Sequence, residues 1–569
     1  MKLLIGSFLF IASTFAQDAS TDIILKAMRD EMGRASKLSL AGFSGPYYVE
    51  YSLDDGESVS AAASLGGLLT KGTSRMRFPR TQVRIGSYEL DNTNSVYSRF
   101  GSSSRFDPDQ IADEAGYEQI RRHFWLATDR TYKNGVEAFA RKQAAMRSVN
   151  QSEKINDFAK VTPSKIILPV SKFKVDSDEW VKRVKSLSLI FAKYPKILDS
   201  SVEFSSSQST FYLVNSEGSE VRTPDHMVTV TARAFIQAPD GMLLADAAVV
   251  QSSTPSSLPT EAELQKEFTK LAESVTALAQ APVGESYSGP VLFESMASAQ
   301  LFAELLGSNL VMTRKPISEP GRDRAAQASE LEGRIGSRIL PDWIDVVDDA
   351  TQTEWHGRPL FGNYLADMDG IAPQPVKLVE KGVLKTYLMS RLPVRGLEGS
   401  NGHGRLPGAY GSSAATLGTM FVRANQTEPI AELKKRLIQM VQARGKQYGI
   451  LIRKNGFPAV SLPSRANGST RLVSAPVLVY KVYADGREEL VRGLRYRNLS
   501  VRSLKDIIAA SDENYVFDFV GNNAPLSLIG AGGYIVNSTV VAPAILFDDF
   551  ELERPQEELP KLPVVPPPS

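Results

Sequence analysis

Four runs of residues between Val202 and Val250 constrain the fold of this chain more than any other feature. They alternate or run apolar, and the segments 215–218 (Asn-Ser-Glu-Gly) and 239–241 (Pro-Asp-Gly) have the composition of tight turns. Such a pattern is typical of strands with one buried face, and short turns join antiparallel neighbours. We therefore predict an antiparallel sheet built from Val202–Phe204, Thr210–Val214, His226–Ala238 and Met242–Val250.

Helical patterns and two further strands surround this sheet. Thr260 and Glu263 have the spacing of a capping box, which predicts a helix that begins there. Asp54-Asp55-Gly56 has the composition of a turn between two strands. The sequence therefore predicts an α+β region over residues 17–285, either as one body or as two lobes of residues 17–150 and 151–285. The other predicted elements are helices over Ser20–Leu38, Arg121–Lys142 and Val175–Tyr194, and strands over Tyr47–Leu53 and Thr81–Leu90.

Length and charge exclude some classes of protein. A chain of 569 residues is too long for one hydrophobic core, so two or three domains are expected. The chain has no cysteine, so packed cores rather than disulfides must stabilise it. Its 65 basic and 64 acidic residues give a net charge of +1, which argues against a dedicated nucleic-acid surface. No nucleic-acid partner is predicted.

The two ends of the chain have distinct compositions. Lys2 precedes an apolar run over Leu3–Ala12, and small residues at Thr14 and Ala16 follow, which is the pattern of a cleaved secretory signal of residues 1–16. The run is shorter than the roughly 20 residues that span a bilayer. We therefore predict an exported protein, periplasmic or extracellular, without a membrane anchor. Residues 555–569 are Pro-rich and lack a core pattern, which predicts a disordered or polyproline tail.

A central stretch, Gly289–Asn309, joins a short apolar run to a helical pattern. Pro290–Phe293 has the character of a buried strand. From Ser295 the apolar residues recur at steps of three and four, which predicts an amphipathic helix that ends near Gly307. The stretch therefore predicts a strand that leads directly into a helix.

This stretch resembles the helix that carries the HExxxH motif in the TldD/PmbA family, zinc peptidases also called peptidase U62 and once described as modulators of DNA gyrase. The N-terminal half resembles the exported branch of that family. The resemblance implies a C-terminal domain over residues 286–554 that is mostly antiparallel β with a few packed helices, and a dimer formed with itself or with a paralogue. In the N-terminal half the resemblance includes Arg84–Asn94, and the most family-specific strings are in the C-terminal half, at Gly333–Thr351, Gly362–Arg391 and Ser400–Arg405.

The motif positions are only partly retained. The two histidines of the motif correspond to Ala303 and Ser308, whereas its glutamate is present as Glu304. In the family a late cysteine supplies the third ligand, and this chain has none. A catalytic zinc needs three protein ligands and an open position for water, so the resemblance implies no zinc cofactor here, although active relatives bind one.

The spacing of the motif also bears on local structure. Five residues turn a regular helix by roughly 500°, so histidines five apart need a local distortion to reach one ion. Nothing in this sequence requires that distortion. We therefore predict an ordinary helix on which Glu304 is a solvated polar residue, with a vestigial rather than catalytic role.

The remaining candidate residues lie in the C-terminal half. His403, flanked by Asn401 and Arg405 in a Gly-rich loop, could bind a peptide or could belong to a polar turn. Asp348 and Asp349 follow a predicted strand, where paired carboxylates hold a cation or cap a turn. Further elements are predicted here: strands over Ile344–Val347, Val376–Val379, Val383–Met389 and Ala544–Phe550, a hairpin turn at Lys381-Gly382, and a helix over Thr427–Arg444.

Three functions follow from these observations. The first is an exported, non-catalytic subunit that binds an active TldD/PmbA paralogue or a peptide. The second is a hydrolase that recruits a metal through His403, His356, Asp348 or Glu304. The third is a free-standing peptide-binding or envelope-binding module.

Overall fold

The computed structural model describes residues 22–35, 37–38, 45–97, 111–147, 154–312, 314–318, 329–407, 411, 413–457, 473–521 and 536–556. The predicted signal peptide and all but the first two residues of the Pro-rich tail lie outside these ranges. Within them the chain has the α+β architecture that the sequence predicts, with helices packed on two largely antiparallel sheets. No helix of the described ranges is long and apolar enough to cross a membrane.

The N-terminal part is built on one twisted sheet in the order β2-β1-β4-β5-β3, with β6 also paired to β5. Its strands are antiparallel except for β3, which runs parallel to β5. The predicted turns at residues 215–218 and 239–241 are confirmed between β4 and β5 and between β5 and β6. The strands are β1 (Tyr48–Ser64), β2 (Gly67–Arg84), β3 (Lys165–Ile167), β4 (Ile197–Asn215), β5 (Glu220–Gln237) and β6 (Leu243–Ser252).

Four helices cover one face of this sheet. On β4, Val202 and Phe204 belong to the core beneath α3 and α4, whereas Tyr212 and Val214 belong to the core beneath α1 and α2. The even spacing places all four side chains on the same face, because side chains alternate along a strand. The capping box at Thr260 is confirmed at the start of α4. The helices are α1 (Ile23–Ala35), α2 (Tyr117–Met146), α3 (Ser177–Ser188) and α4 (Glu261–Gln280).

Two predictions about these strands are wrong. No turn occurs at 54–56, where β1 continues to Ser64, because arginines on β2 neutralise both carboxylates: Arg80 pairs with Asp54, and Arg77 with Asp55 at 3.2 Å. The two short strands predicted at 202–204 and 210–214 are one strand, β4. The polar residues between them remain paired on both sides, to β1 and to β5.

The C-terminal part forms a second, mixed sheet in the order β12-β11-β8-β15-β21-β7-β16-β17-β18, with β19 and β20 also paired to β21. The strands of this part are β7 (Tyr287–Phe293), β8 (Ile344–Asp348), β9 (Glu354–Trp355), β10 (Arg358–Pro359), β11 (Val376–Glu380), β12 (Val383–Leu384), β13 (Leu406–Pro407), β14 (Ser413–Ala414), β15 (Thr419–Ala424), β16 (Tyr448–Asn455), β17 (Pro476–Tyr483), β18 (Glu488–Val491), β19 (Arg495–Tyr496), β20 (Ile507–Gly521) and β21 (Val536–Glu553).

The short strand β7 lies near the middle of this sheet, antiparallel to β21 and parallel to β16. The hairpin turn at Lys381-Gly382 is confirmed between β11 and β12, with both residues at positive φ. The predicted strand after it is shorter, since β12 covers only Val383–Leu384 and Leu388 forms an isolated bridge to Val311. Two more helices pack here, α5 (Ser295–Leu301) and α6 (Ile430–Ala443), and 3₁₀ segments occur at Leu189–Lys193, Pro255–Ser257 and Val501–Asp506.

Candidate functional site

The helix that follows β7 contains the candidate site. β7 is apolar and buried, as predicted, and α5 begins directly after it, with the Ser298 N–H donating to the carbonyl of Glu294 at 2.9 Å. The helix packs against β16, β20 and β21. Its residues Leu301, Phe302 and Leu305 are fully buried in the main C-terminal core. The core therefore fixes the helix in position.

This helix is not regular. Residues Phe302–Gly307 form a π-helical turn, called the π-turn below, in place of the predicted continuous α-helix. A π-turn closes hydrogen bonds between residues five apart, and such turns occur often at functional sites. It brings positions five apart towards one side of the helix. The distortion that an HExxxH motif needs is thus present although both histidines are absent, so the prediction of an ordinary helix is wrong.

Glu304 lies in this π-turn. The sequence predicts a solvated residue, whereas the structure shows a partly buried one. Its carboxylate accepts a hydrogen bond from the Ser474 backbone N–H and another from the Ser474 hydroxyl at 2.9 Å. Burial raises the pKa of Glu304 to about 7, although the two bonds from Ser474 act in the opposite direction. At neutral pH the carboxyl is therefore close to the midpoint of its titration.

Tyr496 and Asn455 complete the polar surroundings of Glu304. The Tyr496 hydroxyl donates to Asn455 Oδ1 at 2.6 Å, and burial together with the negative charge of Glu304 raises the pKa of Tyr496 well above 10. Asn455 is fixed in turn by Gln300 of α5, which bonds to its backbone N–H and carbonyl. These contacts hold the end of β16 against the helix.

The residues at the two histidine positions do not fit a zinc ion. Ala303 is buried and has no lone pair to donate. The Ser308 hydroxyl donates to the backbone carbonyl of Glu304 at 2.5 Å, so it bonds along its own helix. In the described ranges, no group of three or more His, Asp or Glu side chains has the arrangement of a metal site. Among the residues that the structure describes, the donor set that a catalytic zinc requires is therefore not assembled around the π-turn.

The three peptide-binding candidates lie inside the C-terminal domain. His403 is fully buried, with its Nδ1 near the backbone and side-chain oxygens of Asn401 and its Nε2 3.2 Å from Asp348 Oδ1. Arg405 donates to the carbonyls of Leu417 and Asn537, and its guanidinium lies 4.3 Å from the centre of the Tyr364 ring. These bonds connect the loop to neighbouring strands. Peptide binding by these residues stays a prediction, and their burial does not favour it.

The two adjacent aspartates act separately. Asp348 accepts bonds from the backbone N–H groups of Gly418 and Thr419, both at 3.0 Å, in addition to its contact with His403. Asp349 accepts from the N–H and hydroxyl of Thr351, as a residue that caps a turn does. Their carboxylates thus bond within the fold. His356 lies elsewhere, exposed in the turn between β9 and β10 at a φ of 49°.

Sequence reasoning missed a buried ionic cluster between the two parts of the chain. The Arg391 guanidinium forms two bonds to Glu217, at 2.7 and 2.8 Å, and lies 3.7 Å from the centre of the Phe158 ring. Arg84 lies over Phe158 at 3.6 Å and pairs with Asp91 at 2.6 Å. Phe158 is therefore stacked against one arginine from each part of the chain, which joins the N-terminal sheet to the C-terminal domain.

The same cluster continues to α2. Lys142 is fully buried and pairs with Asp157, and it also donates to the carbonyl of Thr93 at 2.6 Å. One signal in the sequence points to it. Lys142 is three residues after Phe139 on the apolar stripe of α2, where a charged side chain needs a buried partner.

Comparisons with known proteins agree with this architecture. Residues 286–554 match the family model described as the PmbA/TldA metallopeptidase C-terminal domain. A metalloprotease of Methanocaldococcus jannaschii and a metalloprotease of Archaeoglobus fulgidus are each 32% identical to the chain over 81 residues, which are 14% of the chain. The match spans 17% and 18% of the length of these two relatives.

Solved structures resemble the chain over nearly its whole length. A proposed modulator of DNA gyrase from Thermotoga maritima has a TM-score of 0.57 at 13% identity and covers 93% of this chain and 99% of its own. TldE from Thermococcus kodakarensis has a TM-score of 0.56 at 13% identity, with coverages of 93% and 100%. A proposed modulator of DNA gyrase from Bacteroides thetaiotaomicron has a TM-score of 0.56 at 12% identity and covers 95% of this chain and 100% of its own. At these identities the likeness shows the fold alone.

Proposed function

The chain belongs to the TldD/PmbA family through its C-terminal metallopeptidase-like domain, and from this premise we propose that it performs no zinc chemistry of its own. We propose that it is a non-catalytic subunit, exported from the cell, which binds an active paralogue or a peptide. Its fold is that of a metallopeptidase, and its π-turn keeps the backbone distortion without the ligands.

The observation that carries this proposal is the state of Glu304. In a zinc peptidase a glutamate at this position acts on a metal-bound water. Here the carboxylate instead accepts both polar hydrogens of Ser474, and Ala303 and Ser308 offer no imidazole beside it. A carboxylate engaged in this way is held by Ser474 and has no activated water to deprotonate.

The partner follows from what the chain lacks. The relatives that match it in sequence are named metalloproteases. A homologue that retains both histidines of the motif and a late cysteine would supply the missing ligands. The signal-like segment of residues 1–16 supports an exported location for this chain, and a partner that binds it after export would be exported as well.

The proposal is tested by the zinc content of the purified chain after incubation with zinc and desalting. A homologue that retains HExxxH, treated in the same way, is the control and should retain about one zinc per chain. The chain itself should retain none and should hydrolyse no unfolded peptide alone, while co-expression with that homologue should yield a complex. One zinc per chain, or a zinc-dependent peptidase rate of the isolated chain, would overturn the proposal.

A further inference from the structure

The hairpin that joins β1 to β2 ends in an unusual turn. Leu65 and Gly66 have φ values of 49° and 82°, so both lie in the left-handed region. A two-residue turn of this kind favours Asn or Asp followed by Gly, because a bulky side chain is strained there. The Leu65 side chain is 58% exposed. Leu65 is therefore unfavourable for the backbone of this turn, and its side chain is largely exposed to solvent.

Other exposed leucines surround this turn. The Leu189 side chain lies against Gly66, where a Cβ atom would come within 2.6 Å of it, and the Gly66 N–H donates to Ser188 Oγ at 2.9 Å. Val202 of β4 pairs with Ala63 near the end of β1, so the residues of β4 before Val202 extend past β1 and lie beside the turn at Leu65-Gly66. We call this surface the leucine tip. It consists of Leu65, Leu68, Leu69, Leu189 and Leu198, which are 45–58% exposed.

Basic residues lie around the leucine tip. From Lys182 to Leu198 the sequence contains five basic residues and no acidic one. Lys185, Lys193 and Lys196 are exposed, and none of them has an ion pair in the part of the chain that the structure describes. Three acidic groups lie beside this segment: Glu261 accepts a hydrogen bond from Ser186 Oγ at 2.7 Å, Asp199 follows the segment directly, and Glu273 interacts with Tyr194. Because none of them forms an ion pair with the three exposed lysines, the rim of the tip carries positive charge in the described part of the chain.

We propose that the leucine tip binds peripherally to the surface of an anionic lipid bilayer. Exposed apolar side chains enter the headgroup region, and lysines beside them attract lipid phosphates. A protein partner fits the composition less well, because protein interfaces are enriched in aromatic residues and arginine and depleted of lysine. This inference is independent of the proposed function, since no residue of the π-turn takes part.

Vesicle co-sedimentation of the mature chain, from residue 17 onwards, tests the inference. Vesicles of phosphatidylcholine alone are compared with vesicles that also contain phosphatidylglycerol. We expect wild type to bind only the anionic vesicles, and binding to weaken as salt is raised. Leu65→Asn and the pair Lys193→Glu and Lys196→Glu should each weaken this binding by about tenfold or more.

The controls separate binding from folding. Leu65→Asn places a favoured residue in the turn, so its thermal unfolding temperature should not fall. Leu365→Asn removes a leucine that is 52% exposed elsewhere, in the C-terminal domain, and should bind as wild type does. Every variant begins at residue 17, because the apolar run of the predicted signal segment would enter vesicles by itself. Equal binding of wild type and Leu65→Asn would overturn the inference. So would a wild-type dimer that Leu65→Asn dissociates while no variant binds vesicles.

Discussion

Glu304 and Ser474 are 170 residues apart in sequence, yet the carboxylate of one accepts both the backbone N–H and the hydroxyl of the other. The contact joins the π-turn to the residues that precede β17. It holds the partly buried carboxyl of Glu304 against a distant segment of the chain, and the protonation of that carboxyl makes the contact measurable.

Glu304→Gln should remove a pH dependence of stability. Because the pKa of Glu304 is raised from its ordinary value near 4.5 to about 7, the folded state binds its proton more tightly than the unfolded state. The stabilisation is complete below pH 4.5 and is lost as the pH rises to about 7. At about 1.4 kcal/mol per pH unit, the loss is at most roughly 3 kcal/mol. Urea unfolding at pH 4 to 8 measures it.

The glutamine variant should match wild type near pH 4 and be the more stable protein at pH 8. Its amide can still accept from the Ser474 N–H and donate to the hydroxyl, so the packing is kept. Parallel stability curves for the two proteins across this range would show that Glu304 does not titrate in the folded state as described.

His403→Asn should destabilise the fold by about 2 kcal/mol. His403 is fully buried and bonds to Asn401 and Asp348, and the shorter side chain leaves polar partners unsatisfied and a small cavity. The matched control is His356→Asn, at an exposed position with a φ of 49° that asparagine tolerates. Chemical denaturation should show a change within about 0.5 kcal/mol there. Equal effects at both positions would contradict the structural role of His403.

Arg391→Met should weaken the junction between the two parts of the chain. The substitution keeps most of the side-chain volume but leaves Glu217 without its bidentate partner, which costs about 3 kcal/mol or more when the pair is buried. Lys435→Met breaks an exposed pair with Glu432 and should change stability by less than about 0.5 kcal/mol. The free energy of unfolding of both variants measures the difference. The double variant Arg391→Met and Glu217→Gln should recover part of the stability that Arg391→Met loses.

Local patterns in the sequence predict much of this fold. The turns on either side of β5, the capping box at Thr260 and the hairpin at Lys381-Gly382 all depend on residues close in sequence, and each is confirmed. The predicted turn at 54–56 is wrong because it depends on residues that are distant in sequence. Whether Asp54 and Asp55 end a strand depends on arginines more than twenty residues away, and those partners cannot be read from the local pattern.

The candidate site was predictable in its position but not in its geometry. Apolar residues in and after α5 recur at steps of three and four. A regular α-helix and a helix with one π-turn both give this spacing, so the spacing does not distinguish between them. The burial of Glu304 depends on Ser474 and Tyr496, which come from distant segments. The ionic cluster around Arg391 likewise combines residues from five separated stretches of the chain.

The π-turn itself predicts that zinc binding can be restored in part. Ala303→His combined with Ser308→His places two imidazoles five residues apart, where a π-turn brings them towards one side of the helix. The double variant should bind Zn²⁺ about tenfold or more tightly than either single variant, which calorimetry and the visible spectrum of the Co²⁺ form measure. A regular helix would hold the imidazoles apart. Equal affinity of the double and single variants would therefore show that the turn does not bring these positions together.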